Sequence, residues 1–96
     1  LYSYAQSAHN PQILYSTNDY TFVKDLVTDR LNTIVLVLGY ETGIFMNYKL
    51  IVSNNSGKDW KTFDIPNSSL YAACSICGNS IYLFLTNNRL IQYRIS

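Results

Sequence analysis

Charge is scarce in this chain. Only 14% of its 96 residues are Asp, Glu, Lys or Arg, against roughly 25% in a typical globular domain. The seven Lys and Arg are scattered singly and the net charge is +1. Nucleic-acid binders gather basic residues into a patch or stripe, so neither DNA nor RNA is an expected partner. Long apolar runs are missing too. The longest, TIVLVLGY (33–40), is strand-sized and far short of the ~20 residues that cross a bilayer. No membrane span is expected. Histidine occurs once, as His9, and glutamate once, as Glu41. A zinc site built on Cys74 and Cys77 would need two more ligands, and His9 is the only histidine. No metal and no other cofactor is expected.

What the chain does have is tyrosine, nine times over, within a hydrophobic fraction of 48%. Asn and Ser are abundant alongside it. That mixture suits β-strands joined by polar turns and not helices, which favour Ala, Glu, Lys and Leu. Strand-length runs appear at ILYS (13–16), YTFVKDLV (20–27), NTIVLVLG (32–39), IFMNYKLIVS (44–53), WKTFDI (60–65), LYAACSIC (70–77), IYLFLT (81–86) and LIQYRI (90–95). Turn signals separate them: TND, GYETG, NNSGKD, PNSS, GNS and TNN. The expected fold is all-β, a succession of antiparallel hairpins over residues 12–96, preceded by a polar tail at 1–11.

Several runs are apolar on both faces, TIVLVL and IYLFL most clearly. Strands of that kind are covered on both sides, as in stacked sheets. A faint repeat accompanies them. ILYSTND (13–19) matches LIVSNNS (50–56), with Ser16 and Ser53 separated by 37 residues, and LIQYRIS (90–96) is related to both. Multi-strand repeats of about 40–50 residues mark propeller blades.

The stretch SNNSGKDW (53–60) places a hydroxyl, an amide, a glycine and a tryptophan at its first, third, fifth and eighth positions. Each suits a tight strand-to-strand turn. Ser53 and Asn55 can accept backbone N–H bonds inside the loop. Gly57 supplies a positive φ. Trp60 begins the returning strand with a large apolar surface and an N–H that seeks an acceptor. The pattern resembles the Asp-box, S/T-x-D-x-G-x-x-W/F, of the BNR-repeat propellers, which include sialidase-like and photosystem-assembly-factor-like blades. Asn55 replaces the usual Asp, keeping the acceptor oxygen without its charge. The upstream STNDYTF (16–22) keeps Ser16 and Asn18 but has no glycine.

The resemblance implies about two β-propeller-like blades, belonging to a longer propeller or to a subunit that completes one by self-association. A closed propeller needs at least four blades. It also implies that Ser53, Asn55, Gly57 and Trp60 form a structural element on the blade periphery, away from a ligand face. In sialidase-like members catalysis uses an arginine cluster, a Tyr/Glu nucleophile pair and an acid/base Asp. This chain offers Arg30, Arg89 and Arg94. Its YRIS (93–96) is similar to the F/Y-R-I-P motif of that family, with Ser96 in place of Pro and in the wrong order along the chain. No catalytic residue is assigned on this basis.

Other chemistry is thin. Cys74 and Cys77 form a CxxC, but on a strand, where positions i and i+3 face opposite ways; redox chemistry of the thioredoxin kind needs a helix N-terminus. Two buried thiols, or a local disulfide in a secreted protein, are the alternatives. Tyr40, Tyr48, Tyr71, Tyr82 and Tyr93 are candidates for a partner surface, since Tyr joins an apolar face to a polar tip. Filling the space between sheets is the other role open to them. Asn54 and Asn67 head N-x-S/T sequons. Ser3 and Ala5 are spaced as at a signal-peptidase site, which makes a secreted or periplasmic location the expectation. The expected function is a non-catalytic binding or assembly module recognising a protein or glycan partner. A piece of a sialidase-like glycoside hydrolase, or a purely structural subunit of an envelope or secretion assembly, are the alternatives.

Overall fold

The structure is a computed structural model and describes residues 11–20, 22–66 and 68–95. His9, the Ser3–Ala5 pair, Asn67 and Ser96 lie outside the described residues. Among those described the chain is all-β, with seven strands, every pairing antiparallel. The first four strands, β1 (Phe22–Thr28), β2 (Ile34–Thr42), β3 (Phe45–Ser53) and β4 (Lys61–Asp64), form sheet 1 in sequential order. A single turn of 3-10 helix at Ser68–Leu70 leads into sheet 2, made of β5 (Tyr71–Cys77), β6 (Ser80–Leu85) and β7 (Leu90–Arg94). Both sheets are plain up-and-down meanders.

The turns follow from local chemistry. Asp29 closes the β1–β2 connection: its carboxylate accepts the amides of Leu31 and Thr33 at 3.0 and 2.9 Å, and its own amide donates to the Thr33 carbonyl. Those backbone donors hold the Asp29 carboxyl below its ordinary pKa, with the Thr33 amide the largest cause. The β2–β3 turn pivots on Gly43 at φ 63°. At β6–β7 the left-handed residue is Asn88, φ 66°, whose amide donates to the Leu85 carbonyl. Asn and Asp visit that region more readily than other non-glycine residues.

The two sheets pack face to face. Val35, Val37, Leu50 and Val52 of sheet 1 meet Tyr71, Ile81, Leu83 and Leu85 of sheet 2, with Ile65 and Ile95 completing one core. Register explains the choice of face. Val35 lies opposite Val52 and Val37 opposite Leu50, so the four side chains share one side of the sheet. On sheet 2, Leu83 is flanked by Cys74 and Ile91, and Ile81 by Ile76 and Tyr93. Apolar burial of this kind stabilises by about 25 cal/mol per Å².

The outer faces differ. On sheet 1, Leu38 and Ile51 are buried yet belong to no part of the intersheet core, so TIVLVL is covered on both sides as its composition requires. On sheet 2, Phe84 and Leu90 lie opposite one another, 42% and 66% exposed. There IYLFL has one open face.

One expected strand is not formed. Residues 13–16 enter no ladder, and β1 begins only at Phe22. The repeat is correspondingly uneven. LIVS (50–53) ends the third strand of sheet 1 and LIQYR (90–94) is the third strand of sheet 2, while ILYS (13–16) has no equivalent place. An extended segment becomes a strand only by meeting a sheet edge, and this one lies against a face.

Candidate functional site

The turn between β3 and β4 is the most closely bonded loop among the described residues. Ser53, 1% exposed, ends β3 with its hydroxyl pointing into the loop. Its Oγ accepts the amides of Gly57 at 2.8 Å and Asn55 at 3.3 Å, and donates to Asn55 Oδ1 at 2.9 Å. Asn55 Oδ1 also accepts the Asp59 amide at 2.9 Å. Ser56 and Gly57 are both left-handed, φ 62° and 91°. The Ser56 amide donates to the Asn32 carbonyl of the neighbouring turn at 2.9 Å. Buried amides need partners, and this loop supplies them from its own first and third side chains.

Trp60 closes the arrangement. Its Nε1–H donates to the Gly57 carbonyl at 3.1 Å and to the Leu14 carbonyl at 2.9 Å. Tyr15 stacks obliquely on the indole at a centroid distance of 5.2 Å. The four residues Ser53, Asn55, Gly57 and Trp60 therefore meet in one turn. Two further members join the turn. Asp59 accepts Asn55 Nδ2–H at 2.8 Å, a contact that spacing within the loop could have suggested. Leu14 arrives from a segment 46 residues away, which no local pattern announces.

The five tyrosines do not share a surface. Tyr71 is buried, and its hydroxyl donates to the Asp25 carboxylate at 2.8 Å across the sheets. Burial first, and that bond second, raise its phenol pKa. Tyr48 packs between Phe22 and Tyr71, ring centroids 6.3 and 5.7 Å away, with Lys24 Nζ 5.8 Å from its ring centroid. Tyr93 stacks on Phe63 and donates to the Asp64 carbonyl at 2.6 Å. These three occupy the space between the sheets. Tyr40 stands on the outer face of sheet 1, edge-on to Tyr20 at 5.8 Å. Tyr82 stands on the outer face of sheet 2, where Gln92 Nε2 donates to Ser80 Oγ at 2.9 Å and to Tyr82 Oη at 3.4 Å.

The remaining polar candidates are dispersed. Arg30 lies in the β1–β2 turn, Arg89 in the β6–β7 turn and Arg94 at the end of β7, all exposed. Glu41 is exposed near the end of β2. Lys49 pairs with Asp64 on the outer face of sheet 1, which raises the ammonium pKa. Exposed Asn54 sits at the start of the 53–60 turn. Cys74 and Cys77 are both free thiols; Cys74 faces the core half-buried and Cys77 faces outward. Among the described residues no group of three or more His, Cys, Asp or Glu could hold a metal ion. An open groove of about 490 Å³ runs beside β7, lined by Pro66, Leu85, Arg89, Leu90 and Ile91.

No protein-family model, curated protein or solved structure matches this chain.

Proposed function

We propose that this chain is a non-catalytic assembly module built on Asp-box propeller-type blades, and that it engages a protein partner through its sheet faces. The single observation that carries the reading is the outer face of sheet 2. Phe84 and Leu90 pair directly across β6 and β7 with most of Leu90 and nearly half of Phe84 in solvent. Burying either side chain completely is worth about 1.5–3 kcal/mol. Contiguous apolar surface left exposed marks places that meet another protein, and this pair adjoins the groove lined by Leu85, Leu90 and Ile91. In a propeller that neighbour is a further blade.

Three observations support the blade assignment. Two consecutive meanders pack face to face. The 53–60 turn is bonded from within, Ser53 Oγ accepting the buried Gly57 amide and Asn55 Oδ1 the Asp59 amide. The segments LIVS and LIQYR fall on third strands of successive sheets. The scattered positions of Arg30, Arg89 and Arg94 give a carboxylate substrate no convergent clamp, which favours assembly over sialoside hydrolysis.

Glycan recognition is the second reading, favoured by Tyr82, Gln92, Ser80 and Arg94 lying on the same outer face as Phe84. An aromatic ring beside convergent hydrogen-bonding groups suits a sugar. An extracytoplasmic setting belongs to this proposal, as either role is served outside the cell. Sedimentation of the wild-type chain and of Phe84→Asp is the test. Assembly of 11.0 kDa units, or binding to an added partner, that Phe84→Asp abolishes supports the module. A strictly monomeric chain whose only partner is an arrayed glycan transfers the proposal to the second reading. Turnover of a fluorogenic sialoside overturns both.

A further inference from the structure

Leu38 and Ile51 are 4% and 1% exposed on the side of sheet 1 that faces away from sheet 2. Among the described residues, the segment 11–20 lies on that side of the sheet. At one end the Leu14 carbonyl accepts the Trp60 indole N–H and Tyr15 stacks on the same ring. At the other end Tyr20 meets Tyr40. Register fixes the separation of those ends. Trp60 precedes Lys61, which pairs with Val52, next to Ser53, and Ser53 pairs with Ile34. Tyr40 lies further along the same strand. Between those ends the chain bends at Asn18 and Asp19, where the Asp19 amide donates to Thr17 Oγ1 at 3.1 Å. The segment therefore crosses the face, from Trp60 at the start of β4 to Tyr40 on β2.

From Leu14 to Asn18 its burial alternates. Tyr15 and Thr17 are half-buried while Ser16 and Asn18 are exposed. No ladder secures it, because residues 11–20 take part in no strand pairing. It is held by side chains and by the indole bond. Gly57 makes room for it: a Cβ there would come within 3.1 Å of the Leu14 side chain. The same face continues past the segment onto β1, where Val23 and Leu26 remain 58% and 60% exposed.

We propose that the outer face of sheet 1 is an acceptor for an extended peptide and that residues 11–20 are its tethered, releasable occupant. Trp60 is the receptor's anchor. It recognises a backbone carbonyl through its N–H and an aromatic side chain through its ring, so the site takes an extended segment carrying an aliphatic residue followed by an aromatic one. Release uncovers Leu38, Ile51 and the indole beside Val23 and Leu26, an apolar stretch bordered by the Lys49–Asp64 pair. This inference goes beyond the assembly reading and does not depend on it.

Trp60 is the only tryptophan, so its emission reports docking directly. In the full chain, Leu14→Asp is expected to shift the emission to the red and raise acrylamide quenching several-fold, with an unchanged far-ultraviolet spectrum and a cooperative melt. A synthetic peptide PQILYSTNDY at millimolar concentration is expected to reverse both changes. Unaltered emission in Leu14→Asp, or a red shift the peptide does not reverse, overturns the proposal. Hydrogen exchange of the wild-type chain decides the matter if the variant does not fold. A Trp60 indole N–H that exchanges through local opening, well before the amides of Val37 and Leu50, supports a releasable segment. Exchange in the same cooperative step as β2 and β3 refutes it.

Discussion

Asn55 Nδ2 stands 2.8 Å from Asp59 Oδ2, inside the turn that joins β3 to β4. The amide at this position thus does two jobs. Its oxygen accepts the Asp59 backbone amide, as a carboxylate would, and its nitrogen neutralises a neighbouring acceptor, which a carboxylate could not. Asn55 and Asp59 are a matched pair.

Placing a carboxylate at position 55, as the Asp-box pattern has it, should therefore harm this protein. Asn55→Asp brings two carboxylates into hydrogen-bond distance, replacing a favourable contact with a like-charge one. The expected loss at neutral pH is about 1 kcal/mol, which lowers the melting temperature of so small a domain by about 4–8 °C. Adding Asp59→Asn should recover most of it. Calorimetry of the two variants checks the pairing; an Asn55→Asp chain as stable as the wild type would show that the 2.8 Å contact carries no weight.

Gly57 and Gly43 offer a second comparison. Both are left-handed, at φ 91° and 63°, so alanine at either costs about 1–2 kcal/mol of backbone strain. Around Gly43 there is open space, whereas a Cβ at Gly57 would press on Leu14. Gly57→Ala is expected to cost more than Gly43→Ala in urea denaturation. It should also redden Trp60 emission, which Gly43→Ala should leave alone. Equal costs and equal spectra would show that Leu14 does not rest on the glycine.

The strands were legible because their residues announce them. IVLVLGY and SIYLFL alternate or fill both faces, and Gly43, Gly78 and Asn88 punctuate them where the backbone turns left-handed. The 53–60 turn was legible for the same reason, since Ser53, Asn55, Gly57 and Trp60 act on bonds within eight residues. Residues 13–16 show the limit. Their composition suits a strand, but pairing needs an edge, and whether a segment meets an edge or a face is decided by tertiary packing. The bond from Trp60 to Leu14 spans 46 residues and leaves no trace in either local pattern. The tyrosines failed to sort for a related reason: Tyr82 and Tyr93 look alike in sequence, and only register sends one outward and the other inward.

Cys74 and Cys77 should react differently. Burial pushes the Cys74 thiol up to about 11, with the Asp25 carboxylate adding to the effect, while Cys77 is exposed. Iodoacetamide at pH 8 is expected to label Cys77 and spare Cys74 until the chain unfolds, as mass spectrometry would show. The same shift carries a pH dependence. The folded pKa lies above the unfolded value of about 8.5, so the stabilisation is fully present below that value and is lost as pH rises through about 11. Tyr71, raised by burial and then by its bond to Asp25, acts in the same direction. Melting temperature should fall over that alkaline interval, and Cys74→Ala should flatten the decline. A profile unchanged by Cys74→Ala would remove the thiol from the account.

Leu83 and Phe84 are neighbours on β6 with opposite fates. Leu83 is 0% exposed in the intersheet core, and Phe84 is 42% exposed on the outer face. Truncating Leu83 leaves a cavity between Cys74 and Ile91, its partners on either side, so Leu83→Ala should cost about 2–5 kcal/mol. Phe84→Ala removes a ring that already meets water and is expected to cost less than about 1 kcal/mol in the isolated chain. The order of the two depends on which face of sheet 2 meets sheet 1. Should Phe84→Ala prove the more damaging in a dilute solution of monomers, sheet 2 would have to be turned over, and Ile81, Leu83 and Leu85 would become its outer surface.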